Sequence, residues 1–591
     1  EGKVNFDLLR SLLGDEVYGD EAYEFTWVGK KAAIAEAGRP IRKTLRPCVE
    51  ESKDWDTTEN LYIEGDNLDV LKLLQESYLG KVKMVYIDPP YNTGNDFVYR
   101  DDFAQSREKY DEEAGVCDED GDRLFRNTET NGRFHSDWCS MIYPRLVLAR
   151  NLLREDGVIF ISIDDGELSV LRKICDEVFG ESNFRNTILT RRRVKSLNSQ
   201  FADNGLYSMN VGFEYVLVYT KSPTFLMKAL RMKKDNVPTK GRWDVFWSNA
   251  DRPTMRYDVL GFTPETGQWR NSKEKADIAV ANYRKYQAEF ESRMTLEEYS
   301  EKTGITDFIR RIPNATGKNG GVQHWVAPSD TSLRTSNWTD IEVSQIGKEI
   351  DVPFDNPKSK QLLMELVKLA DLKDADIVLD FFSGSATTAH AVMQLNAEDG
   401  GKRKFIMVQL PEVCAEGSEA AKAGYKNICE IGKERIRRAG DKIKEENKDK
   451  PGIENLDIGF RVLKLDDTNM NDVYYAAGET TQEMLAGMES NIKPDRTDMD
   501  LLFGCLLDWG LPLSMPHTHE KIDGFTVHTY NGGDLIACFD DHISEKAVRE
   551  IASRKPLRAV FRDSGFTSSP EKINVFEIFK LLAPNTTVKV I

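Results

Sequence analysis

Four consecutive residues, Asp88-Pro89-Pro90-Tyr91, carry the most specific chemistry in this chain. They follow VKMVYI (82–87), a run of β-branched and aromatic residues that predicts a buried strand. The tetrapeptide therefore stands at the carboxyl end of a strand, where open α/β sheets bind their ligands. Two prolines stop both helix and ladder and fix a rigid turn whose carbonyls can accept hydrogen bonds. A carboxylate, a fixed carbonyl and an aromatic face then converge on one small pocket. Such a set suits an exocyclic amine on a nucleobase: Asp88 and the Pro89 carbonyl each accept one N–H, while Tyr91 stacks on the ring. Drawing both protons toward acceptors localises the nitrogen lone pair, which otherwise delocalises into the ring. The nitrogen can then attack an electrophilic methyl group in line. A base in a duplex must first leave the stack, a cost that stacking and hydrogen bonds in the pocket have to offset.

The second segment is Asp380-Phe381-Phe382-Ser383-Gly384-Ser385-Ala386-Thr387-Thr388, between the predicted strand DIVLDFF (376–382) and a helix from Ser385. Small residues there let a ligand approach the backbone and meet a helix N-terminus. Asp380 would repel a nucleotide phosphate but suits the ammonium of a methionine-like moiety. The glycine alone would fit a dehydrogenase loop or a plain tight turn equally well. Glu412, just past the strand KFIMVQL (404–410), is placed either to bind ribose hydroxyls or to be an exposed loop acid. Asp66-Asn67 close the strand NLYI (60–63) and either read an adenine edge or cap the next helix.

The elements that position these residues alternate between strand and helix, which predicts α/β layers. A helix spans NLDVLKLLQESYLG after Asp66. A second, over 137–153, brings Trp138, Met141, Ile142, Leu146, Ala149 and Leu153 to one helical spacing. GVIFISIDD and FEYVLVYTK (213–221) read as strands, with the helix ELSVLRKICDEVF after the first. Between about 226 and 345 the pattern loosens into polar, Trp-rich segments, as in an inserted domain. It resumes with a helix near 358–371, and DKIKEENKDK (441–450) reads as a solvated linker. Beyond it, FTVHTY and DLIACFD flank a turn at Asn531-Gly532-Gly533, and helix, strand, helix and strand complete a small α/β domain.

Of 591 residues 40% are hydrophobic, so the chain is globular rather than disordered. No run of eighteen apolar residues predicts a membrane span, and EGKVNFDLLR at the start has no apolar signal core. Eight cysteines without a CxxC pair fit a reduced, cytoplasmic protein. His517 and His519 read as loop residues rather than a metal site, and no metal is expected. The net charge of −18 excludes a chain that coats nucleic acid over its whole surface, but 181–350 hold 26 Lys+Arg against 20 Asp+Glu and five of the nine tryptophans. Such a region suggests one localised nucleic-acid face. Its densest cluster, Arg191, Arg192, Arg193 and Lys195, suits phosphate contact, or is an exposed charged loop. No Gly-Lys pair is followed by Ser or Thr, so no P-loop of an ATP-driven translocase is present.

DPPYNTGNDFVY (88–99) followed by DFFSGSATTAHAV (380–392) resembles the β-class amino-methyltransferases, S-adenosylmethionine-dependent DNA enzymes whose catalytic motif precedes the cofactor loop. With ENLYIEGDNLDVLKLLQESYLGKVKMVYI before the motif and FIMVQLPE after the loop, the chain is most similar to the modification (Mod) subunits of type III restriction–modification systems. The resemblance implies a Rossmann-like methyltransferase α/β sheet in circularly permuted β-class order, an inserted target-recognition domain and a small C-terminal α/β domain. It divides the chain into an N-terminal arm (1–55), a catalytic half (56–225), a recognition domain (226–345), a cofactor half (346–440), a linker (441–460) and the C-terminal domain (461–591). It assigns Asp88, Pro89, Pro90 and Tyr91 to catalysis and Asp380, Phe382, Ser383, Gly384 and Ser385 to the methionine end of S-adenosylmethionine. Asp66 and Asn67 would lie near the adenine of that cofactor, and Asn356-Pro357-Lys358 correspond to the motif that precedes the cofactor strand. Two positions depart from the family pattern: Ala386 stands where the loop usually ends in Gly, and Gln409 where an acid often stands, with Glu412 three residues on. The implied activity is adenine-N6 methylation of duplex DNA, with a homodimer and a Res helicase–nuclease as partners. N4-cytosine methylation and a catalytically silent DNA-recognition subunit remain the alternatives.

Overall fold

The computed structural model describes residues 24–93, 97–99, 124–126, 132–192, 209, 211–234, 236–344, 349–354, 357–471 and 492–591. The chain divides into two compact units, Glu1–Lys228 with Ser336–Ile591, and Ala229–Thr335.

The larger unit is organised by a ten-stranded mixed sheet. In chain order its strands are β1 (Lys43–Lys53), β2 (Leu61–Glu64), β3 (Val82–Ile87), β4 (Leu153–Ile163), β5 (Phe184–Arg191), β6 (Phe213–Thr220), β7 (Asn337–Glu342), β8 (Ile377–Asp380), β9 (Lys404–Gln409) and β10 (Phe460–Asp467). In space they run β1-β10-β2-β9-β8-β3-β4-β6-β5-β7. The neighbours from β10 to β4 are all parallel, whereas β6 is antiparallel to β4 and to β5. Every residue of β2 and β3 is buried, as expected of central parallel strands covered on both faces. β8 and β9 come late in the chain yet insert between β2 and β3, which is the circularly permuted order that the resemblance implied. This insertion puts the carboxyl ends of β8 and β3 side by side and makes that junction the topological switch point.

Helices α1 (Lys30–Ala37), α2 (Asn67–Tyr78), α3 (Phe134–Leu152) and α4 (Leu168–Phe179) form one packed group, with α3 touching the other three. The apolar positions of α3, Trp138, Met141, Ile142, Leu146 and Ala149, are all buried, which holds the helix in place despite Pro144 in its interior. A second group comprises α5 (Lys360–Leu369), α6 (Thr387–Asp399) and α7 (Ile428–Glu446), with α6 between the other two.

Several expected boundaries differ from the observed ones. The segment expected as an arm supplies β1, which pairs antiparallel with β10 from Lys43–Asp467 to Cys48–Val462. The stretch expected as a linker starts inside α7 and ends at the first residue of β10, because Phe460, Val462 and Leu463 are apolar enough to be buried as a sheet strand. At its far end the expected insert loses 337–342 to the large sheet: β7 pairs parallel with β5 and buries Trp338 and Ile341.

The C-terminal part carries a five-stranded sheet of its own, His517–Ile522, Phe525–Tyr530, Leu535–Cys538, Arg558–Phe561 and Thr587–Val590, in that spatial order. Val527, Ile536, Ile551, Phe561 and Phe579 make its core. His517 and His519 therefore lie on a strand, not in a loop, and His517 Nε2 sits 3.1 Å from His528 Nδ1. Burial pushes the His517 imidazole down to about 4, and among the described residues no three His, Cys, Asp or Glu are placed to hold a metal.

In the inserted unit a three-stranded sheet, Arg242–Val245, Val322–Val326 and Ile309–Arg311, carries the aromatic core. Trp269 stacks on Phe246 at 5.4 Å and Trp325 meets Phe308 edge-on at 5.5 Å. Both tryptophans are buried, so they serve packing there rather than an exposed aromatic face.

Candidate active site

Asp88 to Tyr91 leave β3 as a turn that is held from behind. The indole N–H of Trp138, on α3, donates to the Pro90 carbonyl at 2.7 Å. Among the described residues no donor reaches the Pro89 carbonyl, which stays available. Tyr91 Oη lies 2.9 Å from Asp88 Oδ1 and 3.1 Å from Glu214 Oε2, a residue of β6. Lys358, from the segment before α5, places Nζ 2.6 Å from Tyr91 Oη, 3.0 Å from Asp88 Oδ1 and 3.1 Å from Glu214 Oε2. Burial lifts the Asp88 carboxyl above the ordinary aspartate range, against the pull of Lys358. Burial also works against the Lys358 ammonium, yet Asp88 and Glu214 carry it above the usual lysine value. Burial and the same two carboxylates push the Tyr91 phenol up, so it keeps its proton. Beside Tyr91 a cavity of about 650 Å³ opens, lined by Asn92, Phe134, His135, Asp164 and Glu167 among others.

Across the β3–β8 junction lies the small-residue loop. Asp380 is only 2% exposed; its carboxylate accepts the Phe382 N–H at 3.1 Å and the Thr388 hydroxyl at 2.6 Å, and burial raises it to about 7. It braces the loop from within instead of facing open space. Gly384 takes a left-handed φ of 51° and gives its N–H to Gln409 Oε1 at 2.7 Å. Ala386 adopts φ 60° where the family pattern has glycine, and α6 starts after it with no side-chain cap on its first turn. Arg435, on α7, donates to Ser385 Oγ at 2.8 Å. Ser383 Oγ is buried without a hydrogen-bond partner among the described residues.

The other predicted residues separate into those that meet at this junction and those that do not. Asp66 caps α2, accepting the Leu68 N–H at 2.9 Å. Asn67 is buried too: its Nδ2 donates to the Phe381 carbonyl at 2.7 Å and its Oδ1 accepts from Arg145 Nε at 2.5 Å. Asn67 thus ties the loop to α2 and α3, and Asp66 spends Oδ1 on the start of α2. Gln409 is likewise buried and engaged at both ends. Glu412 is half-buried with no side-chain partner among the described residues, and burial alone raises it to about 7. Lys358, expected beside the cofactor, contacts Asp88. Arg191 ends β5 with Nη2 3.7 Å from Glu342, and Arg192 Nε is 3.7 Å from Glu214. Asn356, Arg193 and Lys195 lie outside the described residues. Sequence reasoning missed Glu214, Trp138 and Arg145 as parts of the site. The one available signal was an acid inside the otherwise apolar strand FEYVLVYT.

The family of DNA methylases matches residues 82–439. The Mod subunit of the type III restriction-modification enzyme StyLTI from Salmonella typhimurium is 34% identical over 485 residues, covering 79% of this chain and 68% of its own. The EcoPI Mod subunit from Escherichia phage P1 is 32% identical over 96% of this chain and 90% of its own, and the EcoP15I Mod subunit from Escherichia coli is 29% identical over 95% and 90%. Among solved structures, the M1.HpyAVI–SAM complex aligns at 12% identity and a TM-score of 0.28, over 64% of this chain and 98% of that one. With its Asp-Pro-Pro-Tyr turn and its small-residue loop side by side at one switch point and these matches along its length, this chain belongs to the DNA methylases, and within them to the Mod subunits of type III restriction–modification enzymes.

Proposed function

We propose that this chain methylates the N6 amine of an adenine flipped out of a short, specific duplex DNA site, with S-adenosylmethionine as methyl donor. The observation that carries the reading is the juxtaposition at the β3–β8 junction: a carboxylate and an unengaged carbonyl on one side, a cofactor-sized loop on the other. The residues present fit S-adenosylmethionine. A left-handed Gly384, an uncapped helix start and the orphaned Ser383 hydroxyl suit its amino-acid end. Glu412, the acid without a partner, takes the ribose in preference to Gln409. When bound, the cofactor supplies an electrophilic methyl group.

The chain's own residues do the rest. Asp88 and the Pro89 carbonyl accept the two N–H bonds of the amine, which localises its lone pair. Tyr91 walls the base, and the adjoining cavity gives the extruded ring a place to lie. Asp380, Asn67 and Gln409 hold the loop so that methyl and nitrogen meet in line. We assign target recognition to the inserted unit, phosphate contact to Arg191, Arg192, Arg193 and Lys195, and dimer or partner contact to the C-terminal sheet. A second copy of this chain and a Res subunit are the partners this reading brings with it. Nucleoside mass spectrometry after incubation of unmethylated DNA with the protein and S-adenosylmethionine tests it. N6-methyladenine is expected; N4-methylcytosine would move the target to cytosine, and neither product would favour a DNA-recognition subunit without catalysis.

A further inference from the structure

The three N–H bonds of the Lys358 ammonium are matched by three oxygens, Tyr91 Oη, Asp88 Oδ1 and Glu214 Oε2, and the side chain is only 13% exposed. Around this group stand Tyr86 on β3, Asp380 at the end of β8, Asp164 just after β4 and Arg192 just after β5. An ammonium is the protein's closest likeness to an exocyclic amine, since both direct N–H bonds at a carboxylate. Asp88 Oδ1 already accepts from Lys358 and from Tyr91, which takes up both lone pairs of that oxygen, so the amine of a target base reaches Oδ1, as distinct from Oδ2, only when one of them yields. Tyr91 is held by the turn itself, three residues from Asp88, whereas Lys358 has a flexible stem and a second carboxylate within reach.

We propose that Lys358 is a place-holder for the target amine: its ammonium occupies the acceptor Asp88 in the DNA-free enzyme and withdraws onto Glu214 when the base enters. Lys358 keeps the acceptor charged and oriented while the pocket is empty, and Glu214 keeps Lys358 while the pocket is full. Both are positioning residues. Neither was a candidate for this role in the sequence, where Lys358 fell in a motif next to the cofactor strand and Glu214 in a plain strand. The inference rests on the amine-methylating reading above.

Two isosteric substitutions and their combination test it, with methylation kinetics on duplex DNA and calorimetry of S-adenosylmethionine. Lys358→Met leaves two neighbouring carboxylates without a cation, so one of them holds a proton. The acid limb of the kcat–pH profile then moves up by about one unit, with activity regained at higher pH. Its S-adenosylmethionine affinity stays within about threefold of wild type, because among the described residues Lys358 makes its hydrogen bonds and ion pairs to Tyr91, Asp88 and Glu214 and none to the small-residue loop. Glu214→Gln keeps Lys358 on Asp88 and raises KM for DNA about tenfold, and adding Lys358→Met to it brings KM back down. Glu214→Gln alone stays readable should Lys358→Met fail to fold. An unmoved pH profile with S-adenosylmethionine binding lost in Lys358→Met would return Lys358 to the cofactor and overturn the proposal. So would a Glu214→Gln enzyme whose KM is unchanged. Wild-type enzyme that methylates no DNA would take down the amine-methylating reading together with this inference, whereas active wild type with unmoved variants takes down this inference alone.

Discussion

Replacing Asn67 by alanine separates a buried brace from a ligand contact. Asn67 donates to the Phe381 carbonyl at 2.7 Å and accepts from Arg145 Nε at 2.5 Å, and Arg145 is 0% exposed. Alanine leaves the carbonyl unmatched, at about 1–3 kcal/mol, and removes a hydrogen bond to a charged group, at about 1.5–3 kcal/mol. Arg145 keeps Met141 O at 2.6 Å and Asp66 Oδ1 at 3.6 Å, so its charge is not stranded. The sum is about 2.5–6 kcal/mol, large against a native stability of about 5–15 kcal/mol. Urea unfolding of the cofactor-free protein, followed by tryptophan fluorescence, should show a lowered midpoint at unchanged slope. Calorimetry should show S-adenosylmethionine affinity reduced about tenfold, because the released Phe381 carbonyl belongs to the cofactor loop. Asn67→Asp retains an acceptor for Arg145 but sets acceptor against acceptor at Phe381, so it should recover only part of the lost stability. An Asn67→Ala protein within about 0.5 kcal/mol of wild type, with cofactor binding lost, would refute the brace. It would put Asn67 on the adenine edge, the other reading of the sequence.

Trp138→Phe removes the N–H that holds the Pro90 carbonyl and should cost about 1–3 kcal/mol of stability and lower kcat while cofactor affinity holds, as thermal unfolding and steady-state kinetics would report. Asp380 has a folded value of about 7 against an ordinary 3.8, so the folded protein keeps a proton that the unfolded chain has lost between those pH values. Its contribution to stability is present at low pH and lost as pH rises through about 7, so Asp380→Asn should gain on wild type from about pH 4 upward and level off above 7, by up to about 4 kcal/mol. Urea midpoints of the two proteins at pH 5 and pH 8 check this. Neutralising Arg191, Arg192, Arg193 and Lys195 together should weaken binding to all DNA sequences alike and flatten the dependence of log K on log salt by up to about four units. Arg191 and Arg192 face Glu342 and Glu214, so a smaller flattening from those two alone is expected in a salt titration.

The Asp-Pro-Pro-Tyr turn and the small-residue loop were legible in the sequence because each is a short contiguous string set directly after an apolar run. Their adjacency was legible only through the resemblance, since β3 and β8 pair across an insertion that no local pattern encodes. Charge hid a strand and the end of a helix. KTLRPCVEESK reads as an arm until β10 pairs with it, and KIKEENKDK masks the end of a helix whose other face is buried. Asp380 and Gln409 look like ligand-facing polar groups in one dimension, but three dimensions turn them inward, where the loop's own N–H groups take them up. The reverse holds for Lys358 and Glu214. Residues from distant parts of the chain formed a four-membered polar cluster with Asp88 and Tyr91, and residue spacing carries no trace of such a cluster. The basic, Trp-rich insert suggested a nucleic-acid face, but Trp269 and Trp325 are buried, and aromatic bulk in a small unit with few aliphatic runs builds its core.

The most direct measurement is a single-turnover methylation assay on unmethylated duplex DNA with wild type and Asp88→Ala, alongside calorimetry of S-adenosylmethionine for both. Asp88 lies outside the cofactor loop, so the variant should bind S-adenosylmethionine within about threefold of wild type and yet form no N6-methyladenine. An Asp88→Ala protein that still methylates DNA at the wild-type rate would contradict the central claim that this carboxylate activates the amine.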